Sequence, residues 1–450
     1  MGMRRTAVWI ACWTAAAALL LWAGSVTPPA AEPGRRFIVQ GSDLATAAAA
    51  VRAAGGEVSH ELGIIAAVSA ELRPRQLAAL SRRPGIRIYR DRTATTASWC
   101  DPGPYTDYPS VVGADLLHAQ GIDGYGVTVA VLDTGFWYSY RLQLDPQNRN
   151  RLRQLYDAIL DQDYIAQDES GHGTHVTSIL LSSEQSANGY HSVAPFADLV
   201  SVKAFDRYGV GTYADVIRGL DWILEHKEDY DIRVLNLSIS AEPQSYYWDD
   251  PLNQAVMQLW QAGVVVVNSA GNFGPDPMTV GVPGNVPYVI TVGAMSDNYT
   301  PGVDGDDVLA SFSAAGPTLE GFLKPELVAP GGHMRGLMQE DRQIFLNHPE
   351  YEVCGFTYEM SGTSQAAAVV SGAAALVLQA DPTLTPDDVK CRLMASAHPA
   401  VDPATGLLGY SVFQQGAGRV DAYDAVYATD IGCANGGLNV ASDLAGSEHY

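Results

Sequence analysis

From residue 127 onward the chain alternates short unbroken apolar runs with longer stretches whose apolar positions recur every three to four residues. The runs are 127–132, 199–204, 234–239, 264–267 and 289–292, and the periodic stretches are 173–181, 213–226 and 252–261. A run with no polar alternation is a strand covered on both faces, and strands separated by helical stretches are joined by crossovers. The pattern predicts an α/β fold, a parallel β-sheet flanked by helices on both faces. In such sheets, sites form beyond the carboxyl ends of the strands.

The first hundred residues are patterned differently. Strand 36–40, an alanine-rich helix, strand 63–69, helix 73–81 and strand 85–89 make a small α+β unit, too small to be stable without a partner. Residues 93–110, rich in Thr, Ser, Pro, Asp and Gly, mark a linker or processing region. Ahead of the unit, Arg4 and Arg5 precede an apolar run over 7–23, and Ala23 and Ser25 suit a signal peptidase. This is a secretory signal; its length just spans a bilayer, so an uncleaved anchor stays open, and no second stretch approaches that length.

Charge separates the same two parts. Residues 1–96 hold 12 Arg and 6 acids, a net of +6, leaving 15 basic and 44 acidic residues, a net of −29, for 97–450. A basic leader and an acidic body attract each other, and the acidic body excludes nucleic acid as a partner. With Cys12 in the signal, Cys100, Cys354, Cys391 and Cys433 allow three disulfide pairings, and no CxxC suggests zinc.

Four stretches place polar residues where the sheet rule expects a site. Val129-Ala-Val-Leu-Asp133-Thr-Gly135 is a strand ending in a carboxylate and a turn glycine. In Gly171-His172-Gly-Thr-His175 an uncrowded imidazole starts a small-residue helix, while His175 points into the helix as a structural residue; no HExxH supports metal. In Met360-Ser-Gly362-Thr363-Ser364-Gln365, Ser364 enters a helix that runs to Leu378. An isolated serine there is most often a cap, yet a helix start also offers free N–H groups to an oxyanion. Val264-Val-Val-Val-Asn-Ser-Ala-Gly-Asn272 ends a buried strand in an amide that can donate to the same oxyanion. Together, Asp133 would orient His172, His172 would take the proton of Ser364, and Ser364 would attack a carbonyl. The order Asp, His, Ser and the lack of GxSxG exclude an α/β-hydrolase.

These four motifs, in this order, resemble those of the subtilase (subtilisin-like serine peptidase) family, over about 105–426, where Gly416-Ala-Gly-Arg-Val-Asp421-Ala is similar to the family's last turn. The resemblance implies a secreted endopeptidase acting on extended polypeptides through Asp133, His172, Ser364 and Asn272, with no cofactor in the chemistry. It also implies that the leader, from Phe37-Ile-Val39 to Ile86-Arg-Ile-Tyr89, is an inhibitory propeptide that assists folding and is cut near 95–99. The expected organisation is signal and linker 1–31, propeptide 32–98, peptidase domain 99–427 and tail 428–450, with the chain's own propeptide as inhibitor and a membrane partner only if the signal stays uncleaved.

Substrate edges carried over from the family are Gly209, Val210 and Gly211 on one side and Ser238, Ile239 and Ser240 on the other. Ser238-Ile-Ser240-Ala241 departs from the frequent Ser-Leu-Gly-Gly, which should narrow the primary pocket; Gln365 and Ala368 replace a common Met and Pro. Structural calcium is a further family trait, with Asp163, Asp168, Asp304, Asp306 and Asp307 as candidates, although 304–307 is not an EF-hand loop. Two other readings stay open: a processing or macrocyclising transpeptidase, and an inactive secreted module that grips peptides.

Overall fold

The computed structural model describes residues 35–91, 105–186, 188–300, 303, 306–401 and 405–450. The expected signal, the cleavage stretch 95–99, Cys100 and Asp304 lie outside them. Contacts divide the chain into two compact units, Met1–Ser98 and Trp99–Tyr450.

The first unit is a four-stranded antiparallel sheet in the spatial order Glu57–Leu62, Ala67–Leu72, Arg35–Gln40, Arg87–Arg90, with helices Leu44–Ala53 and Pro74–Leu80. Asp43 caps the first helix by accepting the Thr46 N–H at 2.7 Å, and Val39, Val51, Val68 and Leu80 are core. Two elements differ from the pattern. Glu57–Leu62 is a strand without apolar alternation because it is largely exposed, and its pairing comes from its neighbour. The apolar Gly63–Ile65, expected to open a strand, is a 3₁₀ turn that leaves Ile64 exposed, and the strand starts at Ala67.

In the second unit the main sheet runs, in space, Val308–Leu309, Ile290–Ser296, Val265–Ser269, Ile232–Leu237, Thr128–Asp133, Asp198–Lys203, Leu152–Asp157, Gln162–Asp163. Leu327–Pro330 also pairs with Ile290–Ser296; every pairing is parallel except those of the two terminal strands. The unbroken Val and Ile of the central strands are buried on both faces, as a sheet flanked by helices requires. Helices His172–Leu181 and Thr363–Ala380 pack on each other, and Tyr213–Glu225 packs on Pro251–Gln261.

Thr363–Ala380 passes through the core. Its 18 residues are long and apolar enough to cross a membrane, against the expectation that no second stretch approaches that length, but 89% of that window is buried inside the protein. A helix apolar all round has no solvent face to keep. Its small residues let it approach: a Cβ on Gly372 would stand 2.6 Å from Cβ of Val193.

Five strands are invisible to periodicity. Leu152–Asp157 carries Arg, Gln and Asp that are satisfied by tertiary partners, such as the Arg153 to Asp198 ion pair. Leu327–Pro330 is too short, and Met334–Leu337, Glu352–Cys354 and Thr357–Met360 form a separate small sheet whose last strand leads into Gly362. Of the cysteines, Cys391 is bonded to Cys433, and Cys354 is also disulfide-bonded.

Candidate active site

Parallel strands with level ends deliver the site. Leu237 pairs with Leu132 on one side and Asn268 on the other, so Asp133, Ser238–Ser240 and Asn272 emerge at the same carboxyl edge of three adjacent strands. The next strand, Asp198–Lys203, leads to Gly209, Val210 and Gly211. His172, Ser238, Ile239, Ser240 and Gly209–Gly211 line one cleft of about 510 Å³, with Asp133 behind His172.

Asp133 is buried and His172 stands partly open to the cleft, their Oδ1 and Nδ1 atoms 2.7 Å apart. Oδ1 also accepts the Thr134 N–H at 2.7 Å, which fixes the carboxylate, while Oδ2 is buried with no hydrogen-bond partner among the described residues. A carboxylate can only accept, so Nδ1 carries hydrogen and Nε2 is left as the basic nitrogen of the neutral ring. Burial alone would pull the His172 pKa down; the charge of Asp133, its hydrogen bond and the more distant charge of Asp168 outweigh it, and the pKa lies above the ordinary 6.5.

What holds His172 in place was missed in the sequence. Asp168 is fully buried and satisfies the start of the His172 helix, accepting from Ser170 N–H (3.0 Å), Gly171 N–H (2.7 Å), Thr174 N–H (2.8 Å) and the hydroxyls of Thr134 (2.8 Å) and Thr174 (2.6 Å). Thr134 then accepts the Gly173 N–H at 2.8 Å, tying the Asp133 turn to the helix. The available signal was an acid four residues ahead of a helix that has no capping side chain of its own, since its cap is Gly171 at φ 99°. Replacing Asp168 with Asn puts an amide N–H against these donors and should cost about 3 kcal/mol, read as a lower urea midpoint at unchanged slope.

The remaining calcium candidates divide. Asp307 pairs with Arg419 at 2.9 Å, Asp306 accepts from Thr300 at 2.9 Å, and Asp163 is an exposed edge residue.

Of the three hydroxyls in Ser361-Gly-Thr363-Ser364, two are held. Ser361 Oγ accepts the His333 N–H at 2.9 Å, and Thr363 Oγ1 donates to Asn272 Oδ1 at 3.0 Å while accepting the Gly271 N–H at 3.2 Å. Ser364 makes only a loose 3.4 Å bond to the Ser238 carbonyl, and among the described residues none to His172. It is not a cap: Gly362 occupies that position and the helix starts at Thr363. Asn272 Oδ1 also accepts the Thr363 N–H at 3.0 Å. These donors fix the amide orientation, leaving the Asn272 NH₂ and the first-turn Ser364 N–H available to an anion.

His175 and Gln365 explain each other. His175 is fully buried, donates Nε2–H to the Tyr358 carbonyl at 3.0 Å and faces the Gln365 amide through Nδ1 at 3.4 Å. Burial pulls its pKa down to about 4, so it stays neutral and structural. Ser240 Oγ is buried with no hydrogen-bond partner among the described residues and sits against Gly271 and Gly281, where a Cβ would come within 2.7 and 2.1 Å of it.

A carboxylate, an imidazole with a free Nε2, an uncommitted hydroxyl and two free N–H donors at one sheet edge are the parts of a serine hydrolase site. Residues 124–418 match the model of the subtilase family, and the chain belongs to this family of serine peptidases. It is 40% identical to serine protease AprX of Bacillus subtilis (strain 168) over 61% of this chain and 62% of AprX, so the match spans less than two thirds of that relative. It is 31% identical to subtilisin E of the same organism over 76% of this chain and 78% of subtilisin E. The fold is also that of the Clostridium perfringens CspB protease, with TM-score 0.61 at 18% identity over 72% of this chain and 98% of that one.

Proposed function

We propose that the chain is a secreted serine endopeptidase, made as a precursor that cuts off its own inhibitory leader. The observation that carries this reading is the 2.7 Å Asp133–His172 pair, together with a Ser364 hydroxyl held only by a loose 3.4 Å bond to the carbonyl of the cleft residue Ser238. An extended polypeptide adds as a strand between Gly209–Gly211 and Ser238–Ser240. Turning from the Ser238 carbonyl to His172, the Ser364 hydroxyl gives its proton to Nε2 as Oγ bonds to the substrate carbonyl carbon. The oxyanion is met by the Asn272 amide and the Ser364 N–H, and the Asp133 charge stabilises the imidazolium. His172 protonates the departing amine; water then attacks the acyl-enzyme by the same relay and frees Ser364. No cofactor enters these steps.

Residues 32–98 hold 10 Arg and 6 acids, a net of +4 against −29 for 97–450, and this charge and the compactness of the unit support them as the inhibitory propeptide, after a signal and linker over 1–31 and before the peptidase domain 99–427. Expression of the precursor beside Ser364→Ala tests the reading: wild type sheds the residues before about 99 and the variant keeps them. A folded wild type that stays intact and cleaves no peptide refutes it.

Asn272→Ala should lower kcat by about 10²–10³ with little change in KM, the range for losing one such donor in a subtilisin. Ser240 fills space between Gly271 and Gly281, so small or medium apolar residues should be preferred before the cut. Ser240→Gly should raise kcat/KM for Phe relative to Ala at that position by about tenfold or more, read by profiling a peptide pool. A wild-type preference for Arg or Lys would overturn this pocket.

A further inference from the structure

The family match ends at residue 418, yet residues 428–450 are bound into the second unit by a set of contacts of their own. Cys433 is bonded to Cys391 of helix Pro386–Ala395. Asn435 accepts from the buried Lys390 ammonium at 3.0 Å and donates to the Tyr288 carbonyl at 3.1 Å and to Asp387 at 2.6 Å. The centre of the set is Asp443, 3% exposed: Oδ2 accepts the hydroxyls of Tyr247 (2.5 Å) and Tyr288 (3.1 Å), and Oδ1 accepts His449 Nδ1 (2.7 Å). The His449 ring stacks on Trp248 with centroids 4.9 Å apart, and Trp248 stacks on Tyr246 at 4.6 Å.

A buried carboxylate satisfied by two phenols and an imidazole rigidifies whatever supplies them. Tyr247 and Trp248 belong to the segment joining the cleft edge Ser238–Ser240 to helix Pro251–Gln261, and both its ends reach the cleft. At one end Ala241, itself lining the cleft, exchanges backbone hydrogen bonds of 2.9 and 2.8 Å with Val282. At the other, Asp250 caps the helix and accepts from Tyr213 at 3.3 Å, and both Tyr213 and Leu252 line the cleft.

We propose that residues 428–450 are a latch that sets the position of the substrate-binding edge Ser238–Ser240, acting through Asp443 on Tyr247 and Trp248. Asp443 is a positioning residue and touches no reacting atom. The latch rests on the peptidase reading only for what the edge binds. A misplaced edge weakens binding of substrate and transition state alike, so loss of the latch raises KM and spares kcat. The effect grows with the length of peptide laid along the edge.

The test compares wild type, Asp443→Asn and Tyr247→Phe in the full chain, with a peptide too short to span the edge and one that spans it. Asp443→Asn is expected to raise KM for the long peptide about five- to tenfold, with kcat within about twofold and a smaller change for the short one. Tyr247→Phe, which deletes one hydroxyl and keeps the ring, is expected to move KM in the same direction by less. A lower melting temperature follows from any structural role and is not the readout. The same comparison is made as long-peptide affinity in the Ser364→Ala background, which needs no turnover. Unchanged KM and affinity in the folded variants, or a fall in kcat alone, overturns the latch; should Asp443→Asn fail to fold, Tyr247→Phe decides. A wild type that cleaves nothing refutes the peptidase reading, and the affinity arm still decides the latch.

Discussion

Replacing Ser364 with alanine should lower kcat for peptide hydrolysis by about 10⁶-fold, the scale found when a subtilisin loses its nucleophile. The size follows from the lack of a substitute. Ser361 is held by the His333 N–H and Thr363 by Gly271 and Asn272, so neither neighbouring hydroxyl is free to move to the base. Among the described residues the Ser364 hydroxyl makes one loose hydrogen bond, so its removal should leave unfolding stability within about 0.5 kcal/mol. A folded variant with near-normal affinity for a peptide and no turnover is the expected combination. On the proposed mechanism the double variant Ser364→Ala with His172→Ala should be no slower than either single one, as for groups that act as a unit. Additive losses would mean that they do not share a proton.

Asp133→Asn should cost about 10⁴ in kcat, or roughly 5.5 kcal/mol of transition-state stabilisation. The imidazolium formed during attack would then face a neutral amide in a buried site, and the side-chain NH₂ would compete for the place that now orients Nδ1–H. The pH profile separates this from mere misfolding. The base must be neutral, so activity falls as pH drops through the His172 pKa, and in wild type that acid limb lies above 6.5 because the Asp133 charge raises it. Without that charge, burial is left opposed only by the more distant Asp168, and the limb of the residual activity moves to lower pH. A loss of 10⁴ with an unmoved acid limb would sink the assignment of Asp133 as the partner of His172.

How much of this was legible in the sequence follows from where each residue's partners lie. Asp133, His172, Asn272 and Ser364 stand out because each follows a hydrophobic strand or opens a small-residue helix, which is local information. Asp168 did not stand out as a brace for His172, since its role depends on Thr134, 34 residues away, as well as on the nearby helix start. Leu152–Asp157 has the polarity of a loop and is a strand because Asp198–Lys203 supplies its ladder on one side. Gly63–Ile65 has the apolar content of a strand and is a turn, with Ala66 at φ 50° closing it. Gln365, beside Ser364, has no evident partner in the sequence; in the fold its amide faces the buried imidazole of His175.

Taken alone, the sequence determined the alternating order of strands and helices, the basic leader ahead of an acidic body, and the four motifs whose residue types and order suit acyl transfer. These are matters of period, charge and small residues, and they are written within a few positions of one another. Only the tertiary structure decided which strands are neighbours, and so that Asp133, Ser238–Ser240 and Asn272 share one edge. It also decided that Ser364 is the uncommitted hydroxyl of three, and that Asp443 meets Tyr247 across 196 residues of chain. The physical reason is that hydrogen bonds and burial are consumed wherever the fold brings partners together, and a residue's freedom to do chemistry is what is left over after that.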